Sequence, residues 1–148
     1  MVTYVGKESN FLQALSHIIQ LDYDAIEAYD AAIERLRDTH YRETLKSFRE
    51  DHRNHIQTFT NYLRDVDYAY PRGPGIKSIF TQGKVMIANI SGDKAILLAM
   101  RSNEIDTNTA YKRMLEHPGL TDDLFKKIQD AYEDEKRHLA WIEKTIKE

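Results

Sequence analysis

The sequence predicts an all-α fold: a four-helix bundle of two antiparallel hairpins, joined by a long crossover that carries a short extra helix. Three observations lead there. Gly and Pro are scarce, six and three in 148 residues, so long segments run without a breaker. Apolar residues in those segments recur at three- and four-residue steps, the spacing of a helix with one buried face. The segments also fall into two pairs, with a short join inside each pair and a long one between the pairs.

The first helix is expected over about residues 9–37, with Ser9 as N-cap and Leu15, Ile18, Ile19, Asp22, Ile26, Tyr29, Ile33 and Leu36 on its buried stripe. The second, about 40–66, carries Leu45, Phe48, His52, His55, Ile56, Phe59 and Leu63. The third, about 93–116, carries Ile96, Leu97, Met100, Glu104, Asn108, Tyr111 and Leu115, and stops at His117-Pro118-Gly119. The fourth, about 121–147, starts at a Thr121 cap and carries Phe125, Ile128, Tyr132, Glu135, His138, Leu139, Ile142 and Ile146. Each is roughly 25 residues, about 35–40 Å at 1.5 Å per residue. Residues 67–92 form the crossover, long enough to travel the length of the bundle. Ile76, Ile79, Phe80, Met86, Ile87 and Ile90 within it have helical spacing and predict the short helix laid against the bundle.

Length and composition narrow the function. A chain of this size, 41% hydrophobic and 30% charged, is expected to be one domain, residues 1–148, with a core of its own. With 21 basic against 24 acidic residues there is no electrostatic footprint for nucleic acid or an anionic membrane. No run approaches the roughly 20 apolar residues of a membrane span. The N-terminus lacks the basic and apolar regions of a signal peptide, so a cytoplasmic protein is expected. Cysteine is absent, which excludes disulfides, thiolate zinc sites, iron–sulfur clusters and a cysteine nucleophile. Any metal must be held by His, Asp and Glu.

The two halves resemble each other. Asp22 to Tyr29 aligns with Glu104 to Tyr111 at an offset of 82, and Phe48 to Ile56 aligns with Ala131 to Leu139 at an offset of 83. Repeated hairpins imply a pseudo-twofold bundle with matching positions facing across its axis. Asp22, His52, His55, Glu104, Glu135 and His138 all interrupt apolar stripes near mid-helix, so they are expected to meet in one layer. An unpaired buried charge costs several kcal/mol. Three carboxylates together resist ionisation unless cations share the site, and two divalent ions would supply that charge. Glu135 and His138 form an E-x-x-H pair, whose i, i+3 spacing turns both side chains toward one ion; His52 and His55 hold the equivalent places. The six suit iron, manganese or zinc.

At these residues the chain resembles the ferritin-like superfamily of di-iron carboxylate proteins, which includes rubrerythrin and ferritin. The resemblance spans about Ser9 to Lys147 and is closest to a small bacterial branch of single-domain members. That pattern is a carboxylate on helix one, E-x-x-H on helix two, a carboxylate on helix three and E-x-x-H on helix four. It implies Asp22, His55, Glu104, Glu135 and His138 as metal ligands. His52 stands where the pattern has a metal-bridging Glu, and is the sixth candidate ligand; Asp51, adjacent to it, is not expected to take the bridging role. The resemblance further implies two iron ions, with manganese or zinc as alternatives, and an oxidoreductase-type protein that handles Fe(II), O2 or peroxide. A homodimer is the expected assembly.

Two other readings stay open: a metal-binding or sensing module without turnover, and a structural or interaction bundle whose buried polar network only sets helix register. Tyr29 and Tyr111 lie two turns along from Asp22 and Glu104, and are read first as core tyrosines with satisfied hydroxyls. Glu50, Asp51, Glu133 and Asp134 flank the stripe as solvated groups or as partners of the ligands. His17, His40 and His117 are placed off the layer, in surface or capping roles.

Overall fold

The computed structural model describes residues 3–75, 87 and 89–148. Four helices account for most of them, and no strand occurs among the described residues. Helix α1 runs Phe11–Arg35, α2 Thr39–Asp65, α3 Asp93–Glu116 and α4 Asp122–Lys147. Each start has a local cause. The Asn10 side chain, not Ser9, accepts from the backbone N–H of Gln13 and so caps α1, one residue further along than the sequence suggests. Asp38 does the same for α2 through Tyr41. Helix α4 follows Thr121, with Asp122 and Asp123 in its first turn and Lys144 and Lys147 in its last, both matched to the helix dipole.

Close packing joins α1 to α2, α3 to α4, α1 to α3 and α2 to α4, so each helix has two neighbours. Contacts fix the directions. Asp22 meets His52 while Asp30 meets Arg49, so α1 and α2 are antiparallel. Tyr29 meets Glu104 while Tyr111 meets Asp22, so α1 and α3 are antiparallel too. Helix α2 therefore ends at one end of the bundle and α3 begins at the other, and the connection between them must cross its length. At the far end the Asp93 carboxylate accepts from the backbone N–H groups of Arg37 and Asp38, at 2.8 and 2.9 Å, tying the start of α3 to the α1–α2 turn. The expected crossover helix falls largely on residues 76–86, which lie outside the described residues. Of its predicted apolar positions, Ile87 is fully buried and Ile90 packs beside it.

The inner stripes of α1 and α2 follow the expected residues, with Ile26 only partly buried. In α4 the inner line is one residue out of phase at its start. Phe125 is 46% exposed, and Leu124, Ile128 and Ala131 lead inward to Glu135 and His138. In α3, Asn108 and Leu115 are half-buried, while Thr107, Ala110 and Met114 face in. The core divides in two. One apolar cluster gathers Leu15, Ile18, Ile19, Phe59, Leu63, Met114 and Ile128. The other gathers Ala32, Leu36, Leu45, Phe48, Ile96, Met100 and Ile142. A buried polar layer lies between them. No helix among the described residues is long and apolar enough to cross a membrane.

Candidate metal centre

Asp22 from α1, His52 and His55 from α2, Glu104 from α3, and Glu135 and His138 from α4 make up that layer, all buried. The helix spacing predicted this convergence. Their donor atoms form two overlapping groups, Asp22–His52–His55–Glu135 and His52–Glu104–Glu135–His138, each with all its donors within 4.8 Å of one another. His52 and Glu135 belong to both. They are also the matched pair of the internal repeat, so the two groups are related by the pseudo-twofold axis.

The surroundings repeat with the same symmetry. The Tyr111 hydroxyl donates to Asp22 Oδ2 at 2.5 Å, and the Tyr29 hydroxyl donates to Glu104 Oε1. Both phenols are buried, and burial together with these carboxylates pushes their pKa well above the usual tyrosine value. Both tyrosines thus have satisfied hydroxyls, as a core residue should, and the acceptors are carboxylates of the layer itself. His55 Nε2–H donates to Asp134 Oδ2 at 2.9 Å, and His138 Nε2–H donates to Asp51 Oδ2 at 2.8 Å. Each imidazole is held from behind by a carboxylate of the neighbouring helix, which leaves Nδ1 facing the layer. Arg137 Nη2 donates to Asp51 Oδ2 at 2.7 Å and to Asp134 Oδ1 at 3.0 Å, linking the two supports. Asp51 is therefore outside the layer, and does not stand in for the missing carboxylate at position 52. Asp51 and Asp134, offered by the sequence as solvated groups or as partners of the ligands, are thus partners, and they recur at the repeat's offset of 83. Glu50 and Glu133 are solvated.

Electrostatics within the layer run on compensation. Burial pushes the Asp22 carboxyl up, but the imidazoles of His52 and His55 outweigh it and hold the group below its ordinary value. Glu104 is lowered in the same way, with His138 and His52 prevailing over burial. Burial also depresses the His52 imidazole, yet Glu135, Asp22 and Glu104 around it raise its pKa to about 10. His55 and His138 are raised as well, against burial, by the carboxylates on both sides of each ring. Asp51 is held at about 2, because the His138 and Arg137 hydrogen bonds exceed the opposing effect of burial. Glu135 goes the other way: burial, reinforced by Glu104, raises it despite His52 and His138. Protons on the imidazoles thus balance charge that a cation would otherwise balance.

The hydrogen bonding stops short of closing. His52 Nε2, His55 Nδ1, both Glu135 carboxylate oxygens and His138 Nδ1 are buried with no hydrogen-bond partner among the described residues. Their nearest opposite numbers are long and poorly aligned for hydrogen bonds: 3.4 Å from His55 Nδ1 to Glu135 Oε1 and 3.5 Å to Asp22 Oδ1, 3.6 Å from His52 Nε2 to Glu104 Oε1, and 3.7 and 3.8 Å from His138 Nδ1 to Glu104 and Glu135. Donors about 2.1 Å from a shared ion at the tetrahedral angle stand about 3.4 Å apart. The donors present, imidazole nitrogens and carboxylate oxygens, fit a divalent first-row metal in type and in spacing.

The remaining histidines lie elsewhere. His117 Nε2 donates to the Glu8 carbonyl and its Nδ1 accepts from the Gly119 N–H, so it ties the α3–α4 turn to the N-terminal segment. His17 faces Glu8, and His40 sits beside Trp141.

Fold and site define a class, an all-α four-helix bundle with a buried carboxylate–histidine cluster that can hold metal. Residues 10–117 match the model of a family described as a domain of unknown function, DUF2383, and the chain belongs to that family. The match covers α1 to α3, and with them Asp22, His52, His55 and Glu104; Glu135 and His138 lie beyond it. No curated protein and no solved structure matches the chain.

Proposed function

We propose that the layer is a dinuclear metal centre of the ferritin-like kind, with iron as its metal and Fe(II), O2 or peroxide as its substrate. Asp22, His52, His55, Glu104, Glu135 and His138 would hold the ions. The observation that carries this reading is the set of five unpartnered donor atoms on four residues, buried and turned toward one another. A network that only set helix register would close its hydrogen bonds, because an unmet buried polar atom costs about 1–3 kcal/mol. Bound iron would supply electron exchange with oxygen species. The chain's own part is to hold the donors, keep bulk water out with the two flanking apolar clusters, and fix each imidazole through Asp51 and Asp134. Cytoplasmic placement and a homodimer complete the proposal.

Elemental analysis of purified protein tests it first. About two equivalents of iron or manganese per chain, followed by rapid oxidation of added Fe(II), is the expected result. Protein that arrives metal-free and refuses iron, manganese and zinc would sink the proposal and leave a structural network. A second reading, metal binding without turnover, is favoured by His52, which puts an imidazole where a bridging carboxylate would bring two ions together. Stable loading without Fe(II) oxidation would select it.

A further inference from the structure

We propose that the two halves of the layer are unequal. A first divalent cation is taken by His52, Glu104, Glu135 and His138, while Asp22 acts on that ion only by orienting His52 and becomes a ligand only of a second, weaker ion. The inference rests on the reading of the layer as a divalent metal site.

The argument begins at position 52. Its repeat mate Glu135 can offer two oxygens to two neighbouring ions, but the nitrogens of an imidazole point away from each other. Serving one ion, His52 must use one nitrogen and spend the other elsewhere. The structure has made that choice: Nδ1–H donates to Asp22 Oδ1 at 2.7 Å, and Nε2 is left without a partner. That nitrogen faces Glu104 Oε1 at 3.6 Å.

The two donor groups then differ. In the group around Glu104, three of four residues present an unpartnered atom, and the separations of 3.6, 3.7 and 3.8 Å are open enough for an ion between them. In the group around Asp22 the other separations are similar, 3.4 Å from His55 Nδ1 to Glu135 Oε1 and 3.5 Å from His55 Nδ1 to Asp22 Oδ1, but Asp22 and His52 have already closed on each other at 2.7 Å, tighter than the roughly 3.0–3.4 Å edge of a coordination shell with 2.1 Å bonds. The other Asp22 oxygen accepts from Tyr111. Only His55 and Glu135 remain open on that side, and binding there must break the Asp22–His52 bond or proceed without His52. The carboxylate–imidazole–metal relay that supports His138 from Asp51 thus has a counterpart in Asp22 behind His52.

Titration of the metal-free full-length protein with Co(II), followed by calorimetry and by visible absorption, tests the inequality. Two steps are expected, the first tighter by about tenfold or more. His55→Ala should remove the weak step and leave the tight one within about threefold, whereas His138→Ala should weaken the tight step by about 100-fold. Asp22→Asn still accepts the His52 Nδ1–H but loses the charge behind the ring, so it should weaken the tight step by about tenfold and leave its spectrum in place. Should His138→Ala fail to fold by circular dichroism, Glu104→Gln, which keeps the side-chain shape, makes the same comparison. Two equal steps in the wild type, or loss of the tight step in His55→Ala or Asp22→Asn, would overturn the inequality while leaving the metal centre standing. No Co(II) uptake by the wild type would overturn both.

Discussion

An imidazole can present a lone pair to the interior only if something outside takes its other N–H. Asp134 and Asp51 do this for His55 and His138, each across the α2–α4 seam. Replacing Asp51 by Ala should lower the affinity of the tighter step by about 10–100-fold, and replacing Asp134 by Ala that of the weaker step, each read by competition with a chelator of known strength. Unchanged affinity in both variants would mean that the rings are oriented by packing alone, for instance by Phe48, which stacks on His138 at 4.2 Å. The tyrosines make a separable prediction. Tyr29→Phe removes the hydroxyl that donates to buried Glu104 and leaves the ring, so it should cost the metal-free protein about 1.5–3 kcal/mol in denaturant unfolding. Tyr111→Phe should behave alike through Asp22. A loss under about 0.5 kcal/mol would show that other donors satisfy those carboxylates.

The helices themselves are specified by local features that a sequence displays openly. Breakers at Pro118 and Gly119, the periodicity of the apolar residues and the Thr121 cap placed the four elements within about two residues of their ends. The convergence of the six polar residues was legible for the same reason, since a buried stripe dictates which side chains meet. Two features were not legible. In α4 both Leu124 and Phe125 are apolar, and the larger residue was assigned inward. The phase is set instead from the polar pair, because stepping back from Glu135 by fours and threes reaches Ala131, Ile128 and Leu124. Which of the four flanking acids, Glu50, Asp51, Glu133 and Asp134, support the rings, and which ring each supports, depends on how α2 and α4 sit side by side, and no spacing within one helix encodes that. The α3–α4 turn shows the same dependence on a neighbour. A Cβ at Gly119 would come within 2.7 Å of Phe11 Cβ at the start of α1. Gly119→Ala should therefore destabilise the bundle by about 1–3 kcal/mol in thermal or denaturant unfolding, with metal binding preserved. A neutral effect would mean that the turn can move off α1 freely.

Across the whole molecule, protons and a bound cation would compete for one buried layer, and the direction of that competition follows from the pKa shifts. His52 titrates at about 10 in the metal-free fold against 6.5 when exposed. Its contribution to stability is complete below pH 6.5 and is lost as the pH rises through about 10. His55 and His138, also raised, act in the same sense. Glu135 is raised too, so it favours the fold below its ordinary value and opposes it increasingly above. Asp22 and Glu104, both lowered, stabilise above their ordinary values of 3.8 and 4.5, and that support fades only as the pH falls through their folded values. The metal-free bundle should therefore lose Tm steadily from pH 6 toward pH 10. A bound divalent ion replaces the imidazolium protons, so its affinity rises over the same interval. At 100 times its Kd one ion adds about 2.7 kcal/mol, or about 5–10 °C in Tm for a chain of this size. Unfolding with chelator and with Mn(II), from pH 6 to pH 9.5, should give curves that diverge as the pH rises. Proton release on Mn(II) addition at pH 7, followed with an indicator dye, should accompany loading. Parallel curves without proton release would mean that the imidazoles are already neutral in the metal-free fold. The carboxylates would then carry the unbalanced charge, and the metal-free protein would hold a level Tm from pH 10 to pH 6 and gain stability only below pH 6, as those carboxylates protonate.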